Sequence, residues 1–287
     1  MIFYSSIKQK YIIIIIHMDT LLIDVLEYII GMIPDNKDKC NLIMTCKNIS
    51  KCDFYFTALE NINTIIGSMW FDKFINIFIK DDICILPLFV KYLTFDVWFN
   101  KDIKDKVPDS VTHIAFGDDY EYLTSNCYCS SLTYMEYSGD YCAYFKDCIP
   151  SSVTHLTIGA FFCSGFKDSI PSTVTHLTLN SSVYMPLNIP SSITHLTFGI
   201  EFNLSIKGCI PSSVIEIVFD GDMDTRPGRS YPFSSYDHIF KHPIEDCIPE
   251  TVKKIIFNGP IIEDHKSLVL QAFRNESLEI LFNGEIY

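Results

Sequence analysis

One phrase recurs through most of this chain, and its spacing constrains the fold more than any other feature. It reads VPDSVTHIAFG from Val107, IPSSVTHLTIG from Ile149, IPSTVTHLTLN from Ile170 and IPSSITHLTFG from Ile189. Weaker copies begin at Leu86, Tyr128, Ile210 and Ile248, and a last degenerate one ends in LEILFN at Asn283. Its proline column runs Pro87, Pro108, Cys129 in place of proline, Pro150, Pro171, Pro190, Pro211 and Pro249, in steps of 21, 21, 21, 21, 19, 21 and 38. A fixed period in this range marks a stack of repeated supersecondary units.

The columns assign each position a task. Three residues past the proline stand Val90, Val111, Leu132, Val153, Val174, Ile193, Val214 and Val252. Six and eight past it come apolar pairs such as Leu93/Phe95, Ile114/Phe116, Leu156/Ile158 and Ile217/Phe219, which share one face of a short strand by the period-two rule. Nine past it stand turn formers such as Asp96, Gly117, Gly159 and Asn180. A second apolar set precedes the proline by nine (Phe78, Phe99, Tyr120, Tyr141, Phe162, Phe202, Phe240) and by five (Ile103, Phe145, Phe166, Met185, Ile206, Ile244). One repeat cannot bury these side chains alone, whereas stacked repeats bury them in a continuous core beneath a parallel sheet. Too few residues remain outside strand and turn for a full helix on the opposite side. The 38-residue step places about 17 additional residues in one repeat. We expect an insertion at 221–239, because Phe240 to Pro249 already keeps the ordinary spacing.

Composition removes several classes of function. With 48% hydrophobic residues in 287, the chain can bury a core and is not disordered. A formal charge of -13, from 22 cations and 35 carboxylates with no basic run, argues against a nucleic-acid partner. The eleven cysteines are odd in number and contain no C-x-x-C, the closest pair being Cys127 and Cys129. We read them as reduced thiols in an intracellular, reducing compartment, with no structural zinc. Residues 1–17 hold only a short apolar run, too brief for a membrane span and lacking a cleavage site. They are expected to be a leader or non-native extension, with Met18 as the start.

The spacing F-N-x-x-I-x-x-x-I-P, present as FNKDIKDKVP at Phe99 and FNLSIKGCIP at Phe202, resembles the FNIP repeat. That leucine-rich-like family is known mainly from social amoebae and amoeba-infecting giant viruses. The N-terminal string LLIDVLEYIIGMIPDNKDKCNLIMTCKNIS has helical periodicity and resembles an F-box, VLEYII matching its first helix and NLIMTCKNI its second segment. Two departures are a Leu21-Leu22 opening in place of Leu-Pro, and Ile49 where an aromatic residue usually follows the Cys-Lys phrase. Together the resemblances imply an α+β chain: an F-box-like helical domain over 18–52, a helical connector or cap over 53–77, and a leucine-rich-repeat-like parallel β solenoid over 78–287. They also imply a non-catalytic adaptor, a substrate receptor of a cullin ubiquitin ligase complex. Leu22, Val25, Leu26, Ile29, Ile30, Leu42, Ile43 and Cys46 would dock a Skp-type linker protein, and the solenoid would bind an unidentified protein target. The alternative is a repeat-only interaction scaffold with no ligase link.

No nucleophile elbow, zinc-protease helix, phosphate loop or kinase set is present, so no catalysis and no cofactor are expected. Position +5 is His113, His155, His176 and His195, with Tyr92 and Tyr134 in neighbouring repeats. It alternates with the core, so these rings face solvent in a ladder. The ordinary account is a consensus residue packing on its neighbours and hydrogen-bonding a threonine; a metal site would need further ligands that these columns do not supply. Closely spaced imidazoles should disfavour one another's protonation. His238 and Asp237 fall in the insertion and His242 just after it, without a nucleophile beside them. The candidate target-binding face is Tyr92, His113, Tyr134, Glu136, His155, His176, His195 and Glu216, since Tyr and His combine apolar area with a hydrogen-bonding tip.

Overall fold

The protein is described from a computed structural model, which covers residues 32–33, 38, 55–56, 59–68, 70–83, 85–122, 129–137, 147–159, 169–180, 188–199, 202, 204–220, 244, 247–258, 266–267, 269–270 and 278–286. The chain divides into two compact units, Met1–Phe78 with Pro87–Lys91, and Ile79–Leu86 with Tyr92–Tyr287. The leader, the eight F-box residues and the insertion at 221–239 all lie outside the described residues.

In the first unit, β1 (Glu60–Asn61) leads directly into α1 (Ile62–Ile65). The Asn61 carboxamide oxygen caps α1 by accepting from the Asn63 N–H at 2.9 Å. A 3-10 turn at Phe71–Lys73 follows, then β2 (Asn76–Ile79), whose last residue belongs to the second unit. β1 and β2 pair in parallel, and the buried rings of Phe56 and Phe74 stack at 4.3 Å. The connector expected to be helical is thus largely not so. It runs into β2, whose Asn-Ile-Phe-Ile alternates half-buried and buried positions with the β-branched Ile77 and Ile79 fully buried, so period two prevails over helix there.

The second unit is a parallel β-solenoid with very little helix. Its strands follow one another in the sheet in sequence order: β3 (Tyr92–Phe95), β4 (His113–Phe116), β5 (Tyr134–Tyr137), β6 (His155–Ile158), β7 (His176–Leu179), β8 (His195–Phe198), β9 (Glu216–Asp220), β10 (Lys254–Asn258) and β11 (Glu279–Phe282). Every neighbouring pair from β3 to β11 is parallel and in the register that the repeat columns define, His155 opposite His176 and Leu156 opposite Leu177, for example. β9 pairs directly with β10 across the long step, Glu216 opposite Lys254, so no strand intervenes between them.

A tight turn sets each strand's entry. The proline carbonyl accepts the N–H three residues on, at 3.1 Å for Pro108–Val111, Pro150–Val153, Pro211–Val214 and Pro249–Val252. The +3 side chain so delivered is fully buried in Val90, Val111, Leu132, Val153, Val174, Ile193 and Val214. Where Cys129 replaces proline the turn persists, and its Sγ donates to the Val111 carbonyl at 3.1 Å. The +8 rings stack from coil to coil: Phe95 on Phe116 at 5.3 Å, Phe198 on Phe219 at 5.4 Å, Phe219 on Phe257 and Phe257 on Phe282 at 4.9 Å each. A second layer of Phe99, Ile103, Tyr120, Phe202, Ile206 and Ile244 is buried on the side away from the strands' outer face. The Tyr137 hydroxyl ties the layers by donating to the Tyr120 carbonyl at 2.7 Å.

One element was not anticipated. After β11, Asn283 and Gly284 take positive φ (49° and 84°) and reverse the chain into β12 (Glu285–Ile286), which pairs antiparallel with β11. An Asn-Gly pair suits a two-residue hairpin turn that needs φ > 0 twice. No helix among the described residues is long and apolar enough to cross a membrane.

Candidate interaction face

Alternation within each four-residue strand places +6 and +8 in the core and +5 and +7 on the opposite face. The observed burial of β4, β5, β7 and β8 follows this pattern, half-buried then buried in turn. In-register pairing then turns the +5 column into a row of rings. Centroid separations are 4.5 Å for Tyr92–His113, 5.3 Å for His113–Tyr134, 6.2 Å for Tyr134–His155, 4.1 Å for His155–His176 and 4.2 Å for His176–His195. The last three imidazoles are stacked with nearly parallel planes, at interplanar angles of 18° and 6°. Glu216 extends the row and forms an ion pair with Lys254 at 3.5 Å, and Glu136 stands half-buried at +7 of β5. All eight predicted face residues therefore lie on this one side of the sheet.

Each imidazole is held by the threonine immediately before it. Nδ1 lies 2.8 Å from Oγ1 in Thr112–His113 and 2.9 Å in Thr154–His155, Thr175–His176 and Thr194–His195. The same hydroxyls reach the carbonyl of the preceding coil's +4 threonine, at 3.3 Å for Thr154, 3.5 Å for Thr175 and 3.3 Å for Thr194. This +4 column, rather than +7, supplies the ring's partner; the Thr-His pair inside the repeated phrase was the available signal. At +7, Thr157 is almost fully buried, its hydroxyl 3.1 Å from that of Tyr134, so the face is not evenly exposed.

His113 and His176 are held below the ordinary histidine value of 6.5, first by partial burial and then by other imidazoles of the row, His155 for His113 and His155 and His195 for His176, with Glu216 opposing the shift at His176. Folding therefore favours their neutral form, while the unfolded chain takes up protons as pH falls through 6.5. Stability contributed above that pH is lost as it falls from there towards the lower folded-state values. The melting temperature should accordingly drop between pH 7.5 and 5, and less so in His176→Asn. A flat melting profile, or NMR titration of His113 and His176 at 6.5 or higher, would contradict this.

Among the described residues no group of three or more His, Cys, Asp and Glu is placed to hold a metal ion, and no disulfide joins Cys129, Cys148, Cys209 or Cys247. Parallel stacked imidazoles are also poor joint ligands, because each lone pair lies in its own ring plane. The geometry defines a parallel β-solenoid with one ring-lined face. The model of the FNIP repeat matches residues 145–182 and 186–222, so the chain carries FNIP repeats over those coils. No curated protein and no solved structure matches the chain.

Proposed function

We propose that this chain is a non-catalytic interaction protein whose solenoid holds a protein target on the ring-lined face. The observation that supports this most is the unbroken series of six rings on adjacent parallel strands, from Tyr92 to His195. Regular sheet faces built from repeats offer rigid, extended surfaces for recognition, and rings with polar tips suit such interfaces. Immobilised full-length chain should retain a specific protein from a cell extract, and Tyr134→Ala with His176→Ala should reduce its capture without loss of fold. Undiminished capture by a folded double variant would move the binding site elsewhere.

A finer reading assigns the chain to a cullin ubiquitin ligase as a target receptor. It rests on the F-box resemblance of residues 18–52, joined in one chain to FNIP repeats. Leu22, Val25, Leu26, Ile29, Ile30, Leu42, Ile43 and Cys46 would dock a Skp-type linker, and the ligase would act on a target held at raised effective concentration. A pull-down of the full chain with a Skp-type protein should succeed, and fail for Leu26→Asp with Ile30→Asp. Absence of binding by the wild-type chain would leave the bare interaction solenoid.

A further inference from the structure

We propose that Cys209 and Cys247 form a dithiol across two neighbouring coils, which a peroxide oxidises to a disulfide. That bond fastens the β9 coil to the β10 coil and closes the chain between them, the inserted residues included, into one covalent loop. Neither cysteine belongs to the ring-lined face.

Register brings the two thiols together. Cys209 stands two residues before Pro211 and seven before Glu216, and Cys247 stands two before Pro249 and seven before Lys254. Glu216 and Lys254 lie opposite one another at the start of β9 and β10, and the match continues upstream of the strands. The Lys253 N–H donates to the Ile215 carbonyl at 2.8 Å, and the Thr251 hydroxyl to that of Val214 at 3.1 Å. From there the backbone takes the same path back to each cysteine. The Pro211 and Pro249 carbonyls accept from Val214 and Val252 at 3.1 Å, and those of Ile206 and Ile244 accept from Cys209 and Cys247 at 3.0 Å. Ile206 and Ile244 are both fully buried, which anchors the two turns in the same layer of the core. Parallel neighbours lie about 4.8 Å apart, inside the roughly 4.4–6.8 Å between Cα atoms that a disulfide spans.

Access and column position single out this pair. Cys209 and Cys247 are half-buried, whereas Cys129 and Cys148 are buried, and the Cys129 Sγ already donates to the Val111 carbonyl. In the coils between Cys148 and Cys209 the same column holds Ser169 and Asn188. Among the described residues, Cys209 and Cys247 are therefore the two thiols that occupy this column in adjacent coils. The oxidation runs in two steps. One sulfur, as thiolate, attacks a peroxide oxygen and breaks the O–O bond, giving a sulfenic acid, while the departing hydroxide takes up the thiol proton as water. The other thiol's sulfur then displaces the sulfenic hydroxyl, which leaves with the second proton as another water, and the S–S bond forms. Two electrons pass from the thiols to the peroxide. Its consequence is local, because a solenoid is held by contacts between neighbouring coils. The step that the bond would close, 38 residues from Pro211 to Pro249, is the longest in the proline column. Closing a long connection restricts the unfolded chain more than closing a short one.

The test treats the reduced full-length chain with hydrogen peroxide, blocks the remaining thiols with iodoacetamide, and maps tryptic peptides without reduction. Trypsin releases 208–229, since Arg226 is followed by proline, and 242–253; each contains one cysteine, so their linked product identifies the bond. We expect that product from the folded chain, its loss in Cys209→Ser and in Cys247→Ser, and an undiminished yield in Cys129→Ser. The oxidised chain should melt at least about 2 °C above the reduced one, and Cys247→Ser should abolish the gain while keeping the circular dichroism of the wild type. Linkage obtained only in urea overturns the proposal, as does a Cys209 joined mainly to some other cysteine or taken to sulfinic acid without linkage. A linked chain that melts no higher than the reduced one overturns it as well.

Discussion

Truncating Phe198 to alanine is expected to remove about 3–5 kcal/mol of stability, a large share of the roughly 5–15 kcal/mol that domains usually have. Phe198 is only 1% exposed, lies at 4.3 Å from the Phe202 ring and at 5.4 Å from that of Phe219, and so joins its own coil to the next. A solenoid is held together by contacts between neighbours, so the loss should not spread evenly. Urea denaturation should report the drop, and hydrogen exchange should show protection falling first in β8 and β9. Ile286→Ala, at a residue 70% exposed, should change stability by less than about 0.5 kcal/mol. A Phe198→Ala cost below about 1 kcal/mol would mean that the ring column is not the core that its burial implies.

The second large effect separates two glycines in the same column. A Cβ added at Gly117 would stand 2.2 Å from the Asp96 carbonyl oxygen and 2.5 Å from the Val97 Cα, both backbone atoms of the preceding coil. At Gly199 the intruded atom is the Asn180 carboxamide oxygen at 2.0 Å, the far end of a side chain that can rotate, although the Asn180 Cα also lies close at 3.0 Å. Neither glycine has positive φ, so close approach rather than backbone conformation is at issue. Gly117→Ala must push two coils apart and should cost about 1–3 kcal/mol or more, whereas Gly199→Ala should cost clearly less. Thermal melts of the two variants decide the matter, and equal losses would refute the distinction.

How far this architecture could be read from the residues depends on what the repeat constrains. Leu93, Ile114 and Leu156 recur with Phe95, Phe116 and Ile158 because one strand face must be apolar in every coil. The alignment of their columns is also the register, since stacked copies pair like with like. The ring row followed from the same alternation. The residues that hold it did not: Thr154, Thr175 and Thr194 acquire their roles from a carbonyl one coil away and a ring one residue on, contacts that period alone does not encode. The connector was expected to be helical on Trp70, Phe71 and Phe74, whereas its end pairs with β1 through Ile77, where alternation decides. β12 escaped notice because two residues have no period.

That small reversal bears on how the protein behaves at high concentration. A parallel stack ending on a full strand would offer a free row of backbone donors and acceptors to another molecule's edge, and chains could add end to end without limit. Here β11 gives its last two residues to β12, and among the described residues the sheet ends there on a two-residue strand with the Glu285 carboxylate upon it. So short and charged a border is a poor template for fibre growth. The Asn283–Gly284 turn thus leaves only the first half of β11 for another edge to pair with among the described residues, which gives end-to-end addition little to build on.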